Sequence, residues 1–297
     1  MATTTRPRGF APWRPQSGTL ALVERVNEVL AEYEAYLPLT VRQVFYRLVG
    51  GHGYDKTEHA YARLGEALNR ARRAGLVPFG AIRDDGAARV EAHHWAGPEA
   101  FQADVARWAR GFRLDRQRGQ PRRLWLLCEA AGMAPMLARA ADPYGVPVLS
   151  SGGFDSLTAK HALARELAVC GAPAAEVLHV GDLDPSGEHL FASLAEDVGA
   201  MAAELGGAAP RFSRLAVTSA QAAALGLPTA PPKRTDRRSF SAEATVQAEA
   251  IAPDALSALV RDAIEARRCP RAHAAALRAE AEARAALTGW ADRGATP

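Results

Sequence analysis

LWLLCE at Leu124–Glu129 and HVGDLDPSG at His179–Gly187 are the two stretches on which the fold turns. Leu124–Cys128 is an apolar run that ends on an acid, Glu129. Val177–Gly181 is a second run, ending on Asp182 and Asp184 and passing at once into Pro-Ser-Gly. Between them lie a helix-like segment, a third apolar run at Val146–Leu149 with a Ser-Ser-Gly-Gly turn, and a second helix-like segment. Short apolar strands alternating with helices predict an α/β fold with a Rossmann-like, mostly parallel sheet. In such sheets ligands lie beyond the carboxyl ends of the strands, where all three acids fall. Side chains at i and i+2 of an extended segment share a face, so Asp182 and Asp184 can meet one target. Clustered carboxylates supply the hard oxygens that Mg²⁺, or Mn²⁺, takes together with substrate phosphates. A plainer reading makes Asp182–Gly187 a polar turn whose Asp or Ser starts the next helix.

At 297 residues the chain has room for two modest domains with cores of their own. No apolar run reaches membrane-spanning length, and the Arg- and Pro-bearing N-terminus lacks the apolar centre of a signal peptide. The expectation is a cytoplasmic, nucleoid-associated protein with no membrane partner. Cys128, Cys170 and Cys269 have no metal-type spacing and are too few for a disulfide framework. Charge is divided along the chain. Residues 1–123 hold 20 Lys and Arg against 13 Asp and Glu, and the remainder holds 16 against 20. A basic front half joined to an acid-bearing sheet suits a polyanion held against a metal site.

Residues 1–18 carry Pro and Arg without periodicity and read as a flexible arm. Thr19–Tyr36 is amphipathic, with Leu20, Val23, Val26, Val29 and Leu30 on one side. Thr40 and Gln43 match a capping box opening a second helix, TVRQVFYRLV, which Gly50-Gly51 should end. A third helix, Thr57–Ala74, carries Arg63, Arg70, Arg72 and Arg73. FGAIRDDGAARVEA then reads as two short strands around an Asp85-Gly86 turn. Three helices and a hairpin describe a winged helix-turn-helix over 19–95, an α+β front domain in which Arg47, Arg63, Arg70 and Arg73 would meet double-stranded DNA. Residues 96–122 read as a linker and 123–297 as the sheet domain. The latter ends in a long Ala/Arg/Glu helix capped by Asp254 and running to about Ala286.

Tyr46 stands beside the stripe formed by Val41, Val44, Phe45 and Leu48, with Arg42 one helical turn earlier on the same face. A phenol titrates near pH 10 and is a poor nucleophile unless its anion is stabilised. A neighbouring guanidinium does this and can also hold a phosphate by paired hydrogen bonds. A partly buried tyrosine with an ordinary hydroxyl partner is the competing reading.

CEAAG at 128–132 and GDLDPSG at 181–187 resemble the Toprim domain of topoisomerases, primases and related nucleases. RQVFYRL at 42–48 resembles the catalytic-tyrosine motif of the topoisomerase VI A subunit and of its meiotic relative that makes programmed double-strand breaks. In that type IIB family a winged-helix domain bearing Arg-x-x-aromatic-Tyr precedes a Toprim domain, the order seen here. RLAVTSAQAAALGLPTAPPKRTDRR and VQAEAIAPDAL resemble the family's region after the metal acids, so the likeness spans roughly residues 20–265. The short chain, lacking a P-loop, looks most like the stand-alone mini-A relatives. The resemblance implies that Tyr46 attacks a DNA phosphodiester and becomes linked to a 5′-phosphate, assisted by Arg42 and Glu129. It implies that Glu129, Asp182 and Asp184 hold Mg²⁺. It also implies a homodimer in which one protomer's tyrosine faces the other's metal, and a separate B-type ATPase subunit for any strand passage. A Toprim nuclease using metal-activated water, and a non-catalytic DNA-binding module, are the alternatives.

Overall fold

Apolar runs without polar alternation belong to strands covered on both faces, and the sheet follows that rule. In the computed structural model, which describes residues 11–83, 94–150, 157–170, 172–232, 240 and 242–294, four strands lie in the order β4-β3-β5-β6. They are β3 (Arg123–Cys128), β4 (Val148–Ser150), β5 (Ala175–Val180) and β6 (Arg211–Ala216), and every pairing is parallel. Alternate side chains of one run feed different cores, as the pleat requires. Leu124, Leu126, Cys128, Leu178 and Val180 join a cluster with α5 (Ala134–Ala141) and α9 (Pro253–Glu265). Trp125, Leu127 and Val177 face α6 (Leu157–Ala168) and α7 (Pro185–Glu204).

The front of the chain holds α1 (Ser17–Glu32), α2 (Val41–Gly51) and α3 (Glu58–Arg73). Their apolar faces enter the same cluster as the first sheet face, which therefore runs unbroken from Leu22 to Ile264. The capping box at Thr40 and Gln43 forms in both directions, and Thr57 caps α3 through the Ala60 N–H. Two expectations shift. Leu20 is 41% exposed and Leu22 takes its place in the core. Gly50 and Gly51 lie inside α2, which His52 caps.

Strand β1 (Leu39–Thr40) pairs in parallel with β2 (Ile82–Arg83). The expected Asp85-Gly86 turn lies outside the described residues. The linker expected at 96–122 contains α4 (Pro98–Arg110), which packs on α10 (Pro270–Gly294). Behind α4 the chain is pinned by Glu280, 2% exposed, which accepts from Leu114 N–H, Arg116 and Arg284. The arm is anchored too: Ala11 N–H donates to Arg73 O, and Trp13 packs on the core.

The long C-terminal helix is two helices. Pro253 occupies the first turn of α9, so Ala252 and not Asp254 is its cap. Pro270, without an N–H to give, starts α10 afresh. Among the described residues no helix is long and apolar enough to cross a membrane.

Candidate active site

Parallel pairing of β3 and β5 brings Glu129 and Asp182 side by side, just past the two central strand ends. Asp182 N–H donates to Glu129 Oε2 at 2.9 Å, and Ala248 N–H donates to Asp182 Oδ1 at 2.8 Å. Asp184 caps α7, its Oδ1 accepting from Gly187 N–H at 2.6 Å. The cap of the plainer sequence reading is thus present, beside the carboxylate pair. Two glycines permit the crowding. A Cβ on Gly181 would lie 2.7 Å from Glu129 Oε2 and 2.4 Å from His179 Cε1. One on Gly187 would lie 2.7 Å from Asp182 O and 3.3 Å from both Asp184 Oδ1 and Glu129 Oε2.

Burial raises the Glu129 carboxyl above its ordinary range, and the charges of Asp182 and Asp184 push the same way. Asp182 is raised as well, first by burial, against the opposing Ala248 hydrogen bond, with Asp184 adding to it. Arg214 lies under this negative charge, donating to the carbonyls of Gly181, Asp182 and Val217. One of its terminal nitrogens, Nη1, is buried with no partner among the described residues. Each of the three carboxylates keeps one oxygen without a hydrogen bond among the described residues. No three His, Cys, Asp or Glu side chains among the described residues are grouped tightly enough to hold a metal ion by themselves.

Across from the acids lies Tyr46, which is buried, 5% exposed, and not displaced to the edge of the apolar stripe as the helical spacing suggests. Its ring packs against Phe45 with centroids 5.4 Å apart. Its hydroxyl donates to Gln247 Oε1 at 2.5 Å. Burial pushes the phenol up to about 12; Arg42 opposes this, while Asp182 and Glu249 add to it. The charge of Asp182 therefore reaches Tyr46 within one chain. Arg42 is paired with Glu249, Nε to Oε2 at 3.4 Å, and its guanidinium lies 5.8 Å from the Tyr61 ring centre.

Residues 247–250 join the two halves. Gln247 accepts from Tyr46, Ala248 N–H donates to Asp182, Glu249 accepts from Thr40 Oγ1 at 2.8 Å, and Ala250 O accepts from Arg47. An antiparallel bridge between Leu183 and Val246 holds this segment against the acid loop. Between α2 and that loop opens a cavity of about 820 Å³, lined by Arg42, Tyr46, Lys56, Tyr61, Asp184 and Ser186 among others.

No family model, curated protein or solved structure matches this chain. Its site is accordingly defined by its own geometry. Tyr46, Arg42 and Asp184 share the cavity, with Asp182 and Glu129 directly behind Asp184. Arg47 is turned to the Ala250 carbonyl. Arg63 lies 6.0 Å from the Tyr54 ring centre, Arg70 pairs with Glu66 at 2.7 Å, and Arg73 donates to Asn69 at 2.8 Å. These three lie along α3, away from the cavity lining. Sequence reasoning did not find Gln247, Glu249, Arg214 or Lys56. VQAEAI placed Gln247 and Glu249 in a short segment, but nothing local tied that segment to a helix some 200 residues earlier.

Proposed function

We propose that this chain is a DNA-cleaving transesterase of the type IIB topoisomerase class, using Tyr46 as its nucleophile. The observation that carries the reading is the shared cavity, in which a phenol, a guanidinium and an acid loop meet at the carboxyl end of a parallel sheet. Residues 19–95 serve in this reading as a winged-helix DNA-binding domain, and the sheet domain as Toprim.

Attack joins the Tyr46 oxygen to phosphorus as the P–O3′ bond breaks, leaving a 5′-phosphotyrosine. The phenolic proton passes to a carboxylate or to solvent, and the 3′-oxygen ends as a hydroxyl. Gln247, a neutral acceptor, orients the phenol without deprotonating it. Arg42 favours the phenolate and can share the charge of the phosphoryl oxygens. Exchanging one phosphodiester for another is nearly isoenergetic, so resealing needs no ATP.

Glu129 and Asp182 suit a hard divalent cation. They are adjacent, burial raises both, Asp182 and Asp184 raise Glu129 further and Asp184 raises Asp182, and each has an oxygen free among the described residues. Mg²⁺ commonly takes one or two carboxylates and completes its shell with phosphate and water. Asp184 has one oxygen committed to its cap. Bound there, the ion would stabilise charge on the phosphoryl oxygens and steady the leaving 3′-oxygen.

The deciding experiment is incubation with supercoiled plasmid and Mg²⁺ or Mn²⁺, followed by denaturation with and without protease. The expected result is DNA ends that stay attached to protein until protease is added, and Tyr46→Phe should form none. Near-normal cutting by Tyr46→Phe would favour metal-assisted hydrolysis, with Tyr46 docking α2 onto Gln247. That second reading draws on the buried, protonated phenol.

A further inference from the structure

We propose that Lys56 is the phosphate-binding cation of the cavity, holding the backbone of a nucleic acid strand beside the Tyr46 ring; this rests on reading the cavity as a DNA-cleavage site. The other basic side chains around the site each have a protein partner, and the reading above assigns Arg42 to the phosphoryl group under attack. Arg42 is paired with Glu249, Arg47 with the Ala250 carbonyl, and Arg214 with three carbonyls below the acids. Lys56 lines the cavity with its ammonium 5.8 Å from the centre of the Tyr46 ring, and makes no hydrogen bond or ion pair among the described residues. Burial lowers the pKa of the Lys56 ammonium. A half-buried ammonium without a counter-charge is costly to keep unless an anion arrives.

Its position favours such an anion. Lys56 directly precedes Thr57, the cap of the 16-residue helix α3, and Thr57 and Glu58 also line the cavity. The positive end of that helix dipole therefore adds to the ammonium, although Glu58 offsets part of it. A lysine is a point charge on a flexible stem and reads phosphate without regard to base. The ligand class is thus a phosphodiester backbone, and the contact is expected to be insensitive to sequence.

The test compares wild type with Lys56→Met, which keeps the stem, and Lys56→Gln, which tolerates the half-exposed position should Met disturb the fold. Binding of a short labelled duplex to the full chain is measured across a salt series. Losing one phosphate contact should lower the slope of log K against log salt by about 0.9, and weaken binding about eightfold near 0.1 M salt. Lys56→Arg should keep both. Tyr46→Phe should bind like wild type yet form no adduct, which separates the two proposals. A lost slope in a chain that never forms the adduct would leave Lys56 as a phosphate contact and overturn the transesterase. Unchanged slope and affinity in both neutral variants would overturn the role of Lys56, and a wild-type chain that binds no duplex would overturn both.

Discussion

A phenol buried to a pKa of about 12 is almost wholly protonated at neutral pH, so its reactivity depends on its neighbours. Below that value the phenolate fraction grows tenfold for each pH unit. Adduct formation limited by attack should therefore climb with that slope from about pH 7 to 9, measured by quenched time courses on a suicide oligonucleotide. Arg42 is the group that pulls the phenol down, so Arg42→Ala should raise its pKa further and slow attack by about 10²- to 10³-fold. A flat profile would show that chemistry at Tyr46 does not set the rate. The pair was readable because Arg42 and Tyr46 stand one helical turn apart. The depth of Tyr46 was not, because Gln247 and the loop that covers it are distant in sequence and carry no periodic signal.

The strands were the most readable elements. An uninterrupted apolar run has no way to face water, so its burial and its parallel neighbours follow from composition. Helix boundaries were less so where proline decided them, as at Pro253 and Pro270. The region expected to be a linker shows why polarity misleads. DRQRGQPRR looks solvated, yet Arg116 reaches the buried Glu280 at 2.7 Å, and a charged stretch can be structural when its partner is hidden elsewhere. Hydrogen bonds from Arg116 hold the Glu280 carboxyl down at about 2, below its unfolded value near 4.3. A depressed carboxyl contributes stability that is fully present above the unfolded pKa and is lost as pH falls toward the folded one. Glu280→Gln, which leaves the largely covered Arg116 guanidinium without its counter-charge, should cost about 3 kcal/mol at pH 7. The deficit should shrink between about pH 4.5 and 2 as wild type loses the same interaction. Thermal melts at matched ionic strength would check this, and a pH-independent deficit would assign the cost to packing.

At the scale of the molecule, the apolar cluster that continues from α1 to α9 sets how the tyrosine meets the acids. A dimeric transesterase of the proposed class would build its site from two protomers, whereas here residues 247–250 clasp Tyr46, Arg42 and Asp182 within one chain. No pattern in the sequence distinguishes these arrangements, since both use the same residues in the same order. Mixing two inactive variants does. Tyr46→Phe and Asp182→Ala, co-expressed with different tags and purified through both, give a population of mixed dimers wherever dimers form. If each chain completes its own site, every site in such a dimer lacks one partner, and plasmid nicking should stay at background. If the tyrosine works on the partner's acids, one of the two sites is intact, and single-strand nicks with protein attached to one end should return to about half the wild-type site number. The clasp predicts the first outcome. Restored nicking would mean that Gln247 releases Tyr46 to a second chain, making the contact at 2.5 Å a resting state of the tyrosine.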